Sequence, residues 1–209
     1  MLVKNDYVNI REVVYAKESD NVAQAKATIE KSGYRCIPVL DASETKFVGN
    51  IYKVDILEYE NEEHPLTESI KGLIRDQEGF VKENDPFFKV FSTIKRLPYL
   101  AIINDAEEFQ GILTNGNVIQ VLENAWGANN GSYSLTIGTV EYSGALTKML
   151  RIVNKYCNVQ SVISLNNDSK YARRVCIVLP EEVNKETVDE IEQDLRKKNF
   201  IVTDIEYLL

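Results

Sequence analysis

The sequence predicts a chain of mixed class, α/β in its first part and α+β in its last. Two copies of one helix-strand-strand-helix unit are followed by a smaller βαββαβ domain. Three observations carry this expectation. The helix-strand-strand-helix order occurs twice, with Asp20 recurring as Asp85 and Gly49 as Gly111. A polar, glycine-containing stretch, Ala125-Trp-Gly-Ala-Asn-Asn-Gly131, then breaks the pattern. Beyond it, strand-type and helix-type apolar periodicities alternate in a different order.

The first copy opens after Val8. Asp20 is the expected cap of a helix that places Val22, Ala25 and Ile29 on one face, and Gly33 is its expected stop. Cys36-Ile-Pro-Val-Leu40 and Phe47-Val-Gly-Asn-Ile51 read as strands joined by the turn at Asp41. A short helix follows near Asp55, with Ile56, Leu57 and Tyr59. In the second copy Asp85-Pro86 reads as a helix start, because a carboxylate can accept the first free N–H groups and proline needs none. Phe87, Val90, Phe91 and Ile94 supply the apolar face. The strands are Tyr99–Ile103 and Phe109–Leu113, and Asn117 opens the closing helix. Neither copy has much apolar surface to bury alone, so the two are expected to share a core. Trp126 is the last core residue of that helix or a docking residue between domains.

In the last part, strand 134–140 passes through Glu141-Tyr-Ser-Gly144 into a helix with Leu146, Met149, Leu150 and Val153 on one side. Strands 159–165 and 173–179 flank a turn at 166–169. A helix at about 185–198 buries Val188, Ile191 and Leu195, and 201–207 is the last strand. This βαββαβ order is ferredoxin-like, an antiparallel sheet with both helices on one face.

The 209 residues hold 44% hydrophobic and 27% charged side chains, enough for a core and an ordinary surface. The formal charge of -8, from 32 acidic and 24 basic groups, argues against DNA, RNA or anionic lipid as partners. No apolar run of spanning length and no signal-type N-terminus is seen, and three cysteines, Cys36, Cys157 and Cys176, suit a reducing, cytoplasmic setting as free thiols. The single His64 sits among Glu62, Glu63 and Pro65, where solvent exposure is expected, and no zinc, triad or phosphate-loop spacing appears. A non-catalytic protein with no cofactor and no metal is the expectation.

Recognition at the strand-helix ends is the chemistry left. Gly49 permits close backbone approach, and Asp55 offers either paired acceptors for vicinal hydroxyls or a helix cap. Lys53, Arg35, Lys95 and Arg96 are the nearby cations in sequence.

These segments, Cys36–Asp41 with Phe47–Leu57, and Tyr99–Asn104 with Phe109–Ile119, resemble the cystathionine-beta-synthase (CBS) domain in two copies. The resemblance implies paired modules with clefts for adenosine-containing ligands, and dimers. The family's glycine, hydrophobic pair, Ser/Thr and Asp fall on Gly49 through Asp55 and on Gly111 through Asn117. Asp55 is thereby implied as a ribose carboxylate and Thr114 as a hydroxyl contact. Backbone at Cys36-Ile37 and Tyr99-Leu100 would read the base. Three departures stand out: Tyr52 replaces the small hydroxyl residue and closes, reshapes or stacks across the first cleft; Asn117 replaces Asp; Ala101 stands where Pro38 stands in the first copy. The last part resembles an ACT domain, its turn glycine matching Gly144 while Glu141 and Ser143 replace the family's Asp and Pro.

The expected organisation is a first CBS repeat over 1–64, a second over 65–126, a linker over 127–132 and an ACT domain over 133–209. The combination is similar to bacterial CBS-ACT proteins that bind cyclic di-AMP. The resemblance implies a regulatory homodimer that receives cyclic di-AMP, or alternatively AMP or ATP, and acts on an unidentified protein target. An interaction scaffold without a working pocket is the other alternative. The ligand-binding candidates are Arg35, Cys36, Ile37, Lys53, Asp55, Tyr99, Leu100, Thr114 and Asn117.

Overall fold

A computed structural model describes residue 3 and residues 6–139, 143–166 and 173–208. Val140, Glu141 and residues 167–169 of the turn expected at 166–169 lie outside the described residues. The chain divides into two compact units, Met1–Val118 and Ile119–Leu209.

In the first unit the elements are β1 (Val8–Asn9), β2 (Ala16–Lys17), α1 (Val22–Ser32), β3 (Cys36–Leu40), β4 (Phe47–Tyr52), α2 (Lys53–Asn61), β5 (Phe80–Lys82), α3 (Phe88–Thr93), β6 (Tyr99–Ile103) and β7 (Phe109–Thr114). α4 (Asn115–Trp126) begins here and continues past the division. Helix α1 is capped at Asn21, whose side chain accepts from the Gln24 N–H while the Gln24 side chain accepts from Asn21 N–H. The expected cap, Asp20, instead accepts from the Lys17 N–H at 2.8 Å and ties the end of β2. Gly33 ends α1 at φ 75°, as its position after the last apolar residue predicts. The third helix starts later than Asp85-Pro86 suggests, at Phe88. Asp85 accepts from the Lys82 N–H and from Lys89 Nζ, which anchors the turn ahead of the helix.

The two repeats share one hairpin register. Cys36 pairs with Tyr52, Ile37 with Ile51, Pro38 with Asn50 and Val39 with Gly49, followed by an irregularity before Leu40–Phe47. Tyr99 pairs with Thr114, Leu100 with Leu113, Ala101 with Ile112 and Ile102 with Gly111, with the same irregularity before Ile103–Phe109. In each, a preceding strand adds in parallel, β2 on β3 and β5 on β6. The sheets exchange edges. The N-terminal β1 pairs with β7 of the second repeat, Val8 opposite Ile112, while the first repeat's β4 takes a bridge from the segment between repeats, Asn50 opposite Arg75. Ala16, Val22, Ala25, Ile29, Ile37, Val39, Ile51 and Ile56 pack as the first repeat's core. Leu40, Ala101 and Phe109 form a second cluster with Ile10, Val13 and Phe47, contributed by both repeats.

The second unit runs β8 (Gly131–Thr139), α5 (Ala145–Val153), β9 (Ser161–Asn166), β10 (Arg173–Pro180), α6 (Lys185–Lys197) and β11 (Ile201–Tyr207). Its sheet is antiparallel, in the order β11-β8-β10-β9, the ferredoxin-like arrangement that the element order predicts. Leu135, Ile137, Ile177 and Leu179 from the sheet close on Met149, Val153, Val188, Ile191 and Leu195 from α5 and α6. One residue of the expected α5 face is corrected: Leu146 is 41% exposed, and Ala145 and Ile152 are buried in its place. Trp126 closes α4 but is also 41% exposed, so it is not a core residue. No helix among the described residues is long and apolar enough to cross a membrane.

Candidate functional site

A cavity of about 410 Å³ opens in the first unit. One wall is the N-terminal segment, with Val8, Glu12, Val13 and Val14. The second is the turn leaving α1 and the start of β3, Gly33 to Pro38. The third is Pro98, Tyr99, Ile112 and Thr114. Local chemistry explains each wall. Gly33 in the left-handed region lets the chain turn directly from α1 into Tyr34-Arg35-Cys36. β1 lies on β7 because Gly111, at φ 154°, carries no side chain. A Cβ there would stand 1.9 Å from the Val8 carbonyl oxygen. The lining is mainly apolar and aromatic, with Arg35, Glu12, Thr114, Tyr34, Tyr99 and Cys36 as the side chains that carry polar groups. Such a pocket favours a flat, partly apolar ligand with an anionic or hydroxylic edge.

Thr114 and Asn117 form a closed pair at the mouth of α4. Asn117 Oδ1 accepts from the Thr114 N–H at 3.1 Å and from the Thr114 hydroxyl at 2.6 Å, and the Asn117 N–H donates to Thr114 Oγ1 at 3.2 Å. Asn117 thus holds the Thr114 hydroxyl in place and does not itself line the cavity.

Behind Cys36 and Tyr99 lies a polar cluster. The Tyr99 hydroxyl donates to Asn50 Oδ1 at 2.7 Å and stands 3.6 Å from Cys36 Sγ. The Tyr52 hydroxyl donates to Asp76 Oδ2 at 2.5 Å. Burial pushes the Cys36 thiol up to about 11, so at neutral pH it is protonated and no nucleophile. Burial likewise raises Tyr99 and Tyr52, the latter further through its bond to Asp76. Asn50 is fully buried, and its Nδ2 has no partner among the described residues.

Of the candidates read from the sequence, Arg35, Cys36, Ile37, Tyr99 and Thr114 meet at this cavity. Leu100 is fully buried in the sheet. Lys53 is the exposed first residue of α2, and its backbone N–H donates to the Arg35 carbonyl at 2.9 Å. Asp55 belongs to a separate polar hollow of about 200 Å³ with Glu58, Glu62 and Arg75, and pairs with Arg75 Nε at 3.6 Å. Lys95 and Arg96 lie on the 3-10 turn after α3, away from the cavity lining. His64 is exposed beside Glu62 and stacked on Tyr59. Sequence reasoning missed the N-terminal wall and the Asn50–Asp76 cluster. Gly111 was the available signal for the wall, since a glycine inside a strand marks the close approach of another backbone.

Residues 3–62 match the family model described as CBS domain. The matched segment takes in the first repeat, from β1 to α2. The second repeat reproduces the hairpin register of this matched segment. Cyclic di-AMP receptor B of Bacillus subtilis (strain 168) is 25% identical over 118 residues, 53% of this chain and 78% of the receptor. A CBS domain-containing protein of unknown function from Bacillus anthracis str. Ames Ancestor superposes with a TM-score of 0.53 at 26% identity, over 59% of this chain and 93% of that one. Listeria monocytogenes CbpB, solved in complex with cyclic di-AMP, superposes with a TM-score of 0.52 at 20% identity, over 58% of this chain and 94% of its own. At this identity the CbpB likeness shows the fold of the part that it covers.

Proposed function

We propose that this chain is a non-catalytic, cytoplasmic CBS regulatory protein that receives cyclic di-AMP in the cavity lined by Arg35, Cys36, Ile37, Tyr99 and Thr114. The observation that carries the reading is the cavity itself. It combines apolar walls for a base, a positioned hydroxyl and a cation for the sugar-phosphate edge, and two of its three walls lie within residues 3–62, which match the CBS domain. Its volume of about 410 Å³ is near the lower end of the roughly 300–1,000 Å³ of small-molecule sites. That suits one adenosine half. A homodimer would then place two such cavities around a two-fold dinucleotide, and occupancy would bias the dimer toward one arrangement read by a protein target. The second unit, read as an ACT domain, would help to join the subunits.

The same volume favours a second reading, in which AMP or ATP is the ligand. Calorimetric titration with cyclic di-AMP, competed by AMP and ATP, separates the two. Binding that survives excess AMP and ATP is expected. Displacement by either one turns the reading to a mononucleotide sensor, and no heat from any of the three leaves a scaffold. Arg35→Ala and Thr114→Ala are each expected to weaken binding about tenfold, the scale of one charged hydrogen bond. Thr114→Ser, which keeps the hydroxyl, is expected to retain it.

A further inference from the structure

We propose that the first repeat's cleft is occupied by the chain's own Arg75 and Asp76, so that each chain presents one nucleotide cleft where the repeat offers two. The proposal rests on the nucleotide reading above for the meaning of the open cleft, and on the shared register for the comparison between clefts.

Because both hairpins pair in the same register, position can be compared with position. Gly49 corresponds to Gly111, Asn50 to Ile112 and Tyr52 to Thr114. The bridging residues correspond as well: Arg75 lies opposite Asn50 as Val8 lies opposite Ile112, which makes Asp76 the counterpart of Asn9. Both bridging segments press on a strand glycine. A Cβ at Gly49 would meet Ile74 Cγ2 at 2.4 Å and the Arg75 carbonyl oxygen at 2.6 Å, much as one at Gly111 would meet Val8.

The side chains then diverge together. In the second cleft, Val8 lines open space and Asn9 turns away to accept from the Arg11 N–H at 3.1 Å. Thr114 keeps its hydroxyl at the cavity. In the first cleft the threonine position is Tyr52, long enough to reach Asp76, and its hydroxyl is bonded there. Asp76 adopts φ 53°, a left-handed conformation uncommon for a side-chain-bearing residue, and still keeps this contact. The helix acid, Asp55, is paired with Arg75 where its counterpart Asn117 holds Thr114. The backbone of the inserted segment is fixed by two bonds, the Asn50 N–H to the Arg75 carbonyl at 2.7 Å and the Arg75 N–H to the Asn50 carbonyl at 2.9 Å. Hydroxyl, carboxylate and cation of the first cleft thus satisfy one another. A ligand entering there would have to replace the Tyr52–Asp76 bond, worth about tenfold in affinity, and the half-exposed Asp55–Arg75 pair, which is worth less.

Two measurements test this. In equilibrium dialysis with cyclic di-AMP, the number of ligands bound per chain at saturation is expected to double when the first cleft receives the second cleft's residues, Tyr52→Thr, Asp55→Asn, Arg75→Val and Asp76→Asn together. An unchanged number in that folded variant would overturn the proposal. Tyr52→Phe removes only the hydroxyl. Amide hydrogen exchange at Asn50 and Arg75 is then expected to rise about tenfold while the amides of the β1–β7 pairing stay as they were. Unchanged exchange at both amides would overturn the latch whether or not the fourfold variant folds. If wild-type protein binds no cyclic di-AMP, AMP or ATP, the nucleotide reading fails, and the exchange experiment still decides whether Arg75 and Asp76 are held in the cleft.

Discussion

Asn50 shows how much a single position can hide. It sits in a strand whose second-repeat counterpart is Ile112, and its fully buried side chain accepts a bond from the Tyr99 hydroxyl, reaching across 49 residues of sequence. Removing that hydroxyl by Tyr99→Phe leaves both ends of a buried amide without a partner, which costs about 1–3 kcal/mol. Replacing both groups, Tyr99→Phe with Asn50→Leu, removes the polar atoms together and is expected to recover most of that loss in urea denaturation. A double variant no more stable than Tyr99→Phe alone would show that Asn50 is held by something other than Tyr99. Cys36 and Tyr99 are singled out at the sequence level by the resemblance, which places them at the starts of strands that apolar runs locate. Asn50, Arg75 and Asp76 could not, because their partners lie in other segments and no local spacing reports on them. Tyr52 stood between these cases: its size marked a changed cleft, but only the position of Asp76 shows what the ring does.

At the scale of elements, periodicity and end signals located most strands and helices, and their errors have a common form. Asp20 was a reasonable cap by residue type, yet Asn21 has Gln24 three positions later, and the reciprocal bonds of that pair set the start of α1. β1 was missed because two residues, Val8 and Asn9, have no period to read. Its place depends on Gly111, and this gives a direct test. Gly111→Ala puts a methyl group 1.9 Å from the Val8 carbonyl oxygen at a backbone angle that side chains rarely adopt. A loss of about 3 kcal/mol is expected in denaturant unfolding, with nucleotide affinity falling because β1 carries Val8 of the cavity wall. Gly138→Ala in β8 is the matched control. Its added Cβ would be no closer than 3.7 Å to any neighbour, and stability should change by less than about 0.5 kcal/mol. If both alanines were equally harmless, β1 would not be seated on β7 as described.

For the whole molecule, the two repeats and the βαββαβ unit were legible because their element orders differ and each order implies its own sheet. Among the core residues, one cluster draws its buried members from between Leu135 and Val202, and the others draw theirs from between Ala16 and Phe109. The division itself falls between Val118 and Ile119, inside α4, where no loop signal marks it. Separate cores predict separate unfolding transitions in calorimetry, and the proposed ligand touches only the first unit. A ligand at 100 times its dissociation constant stabilises the state that binds it by about 2.7 kcal/mol, which for a unit of this size raises the midpoint by about 10 °C. Cyclic di-AMP should therefore move one transition by that amount and leave the other in place. Removal of the latch in Tyr52→Phe should lower the same transition and not its neighbour, since Tyr52 and Asp76 both belong to the first unit. Equal movement of both transitions with ligand would mean that the second unit takes part in holding the nucleotide, and the one-unit description of the cleft would have to be abandoned.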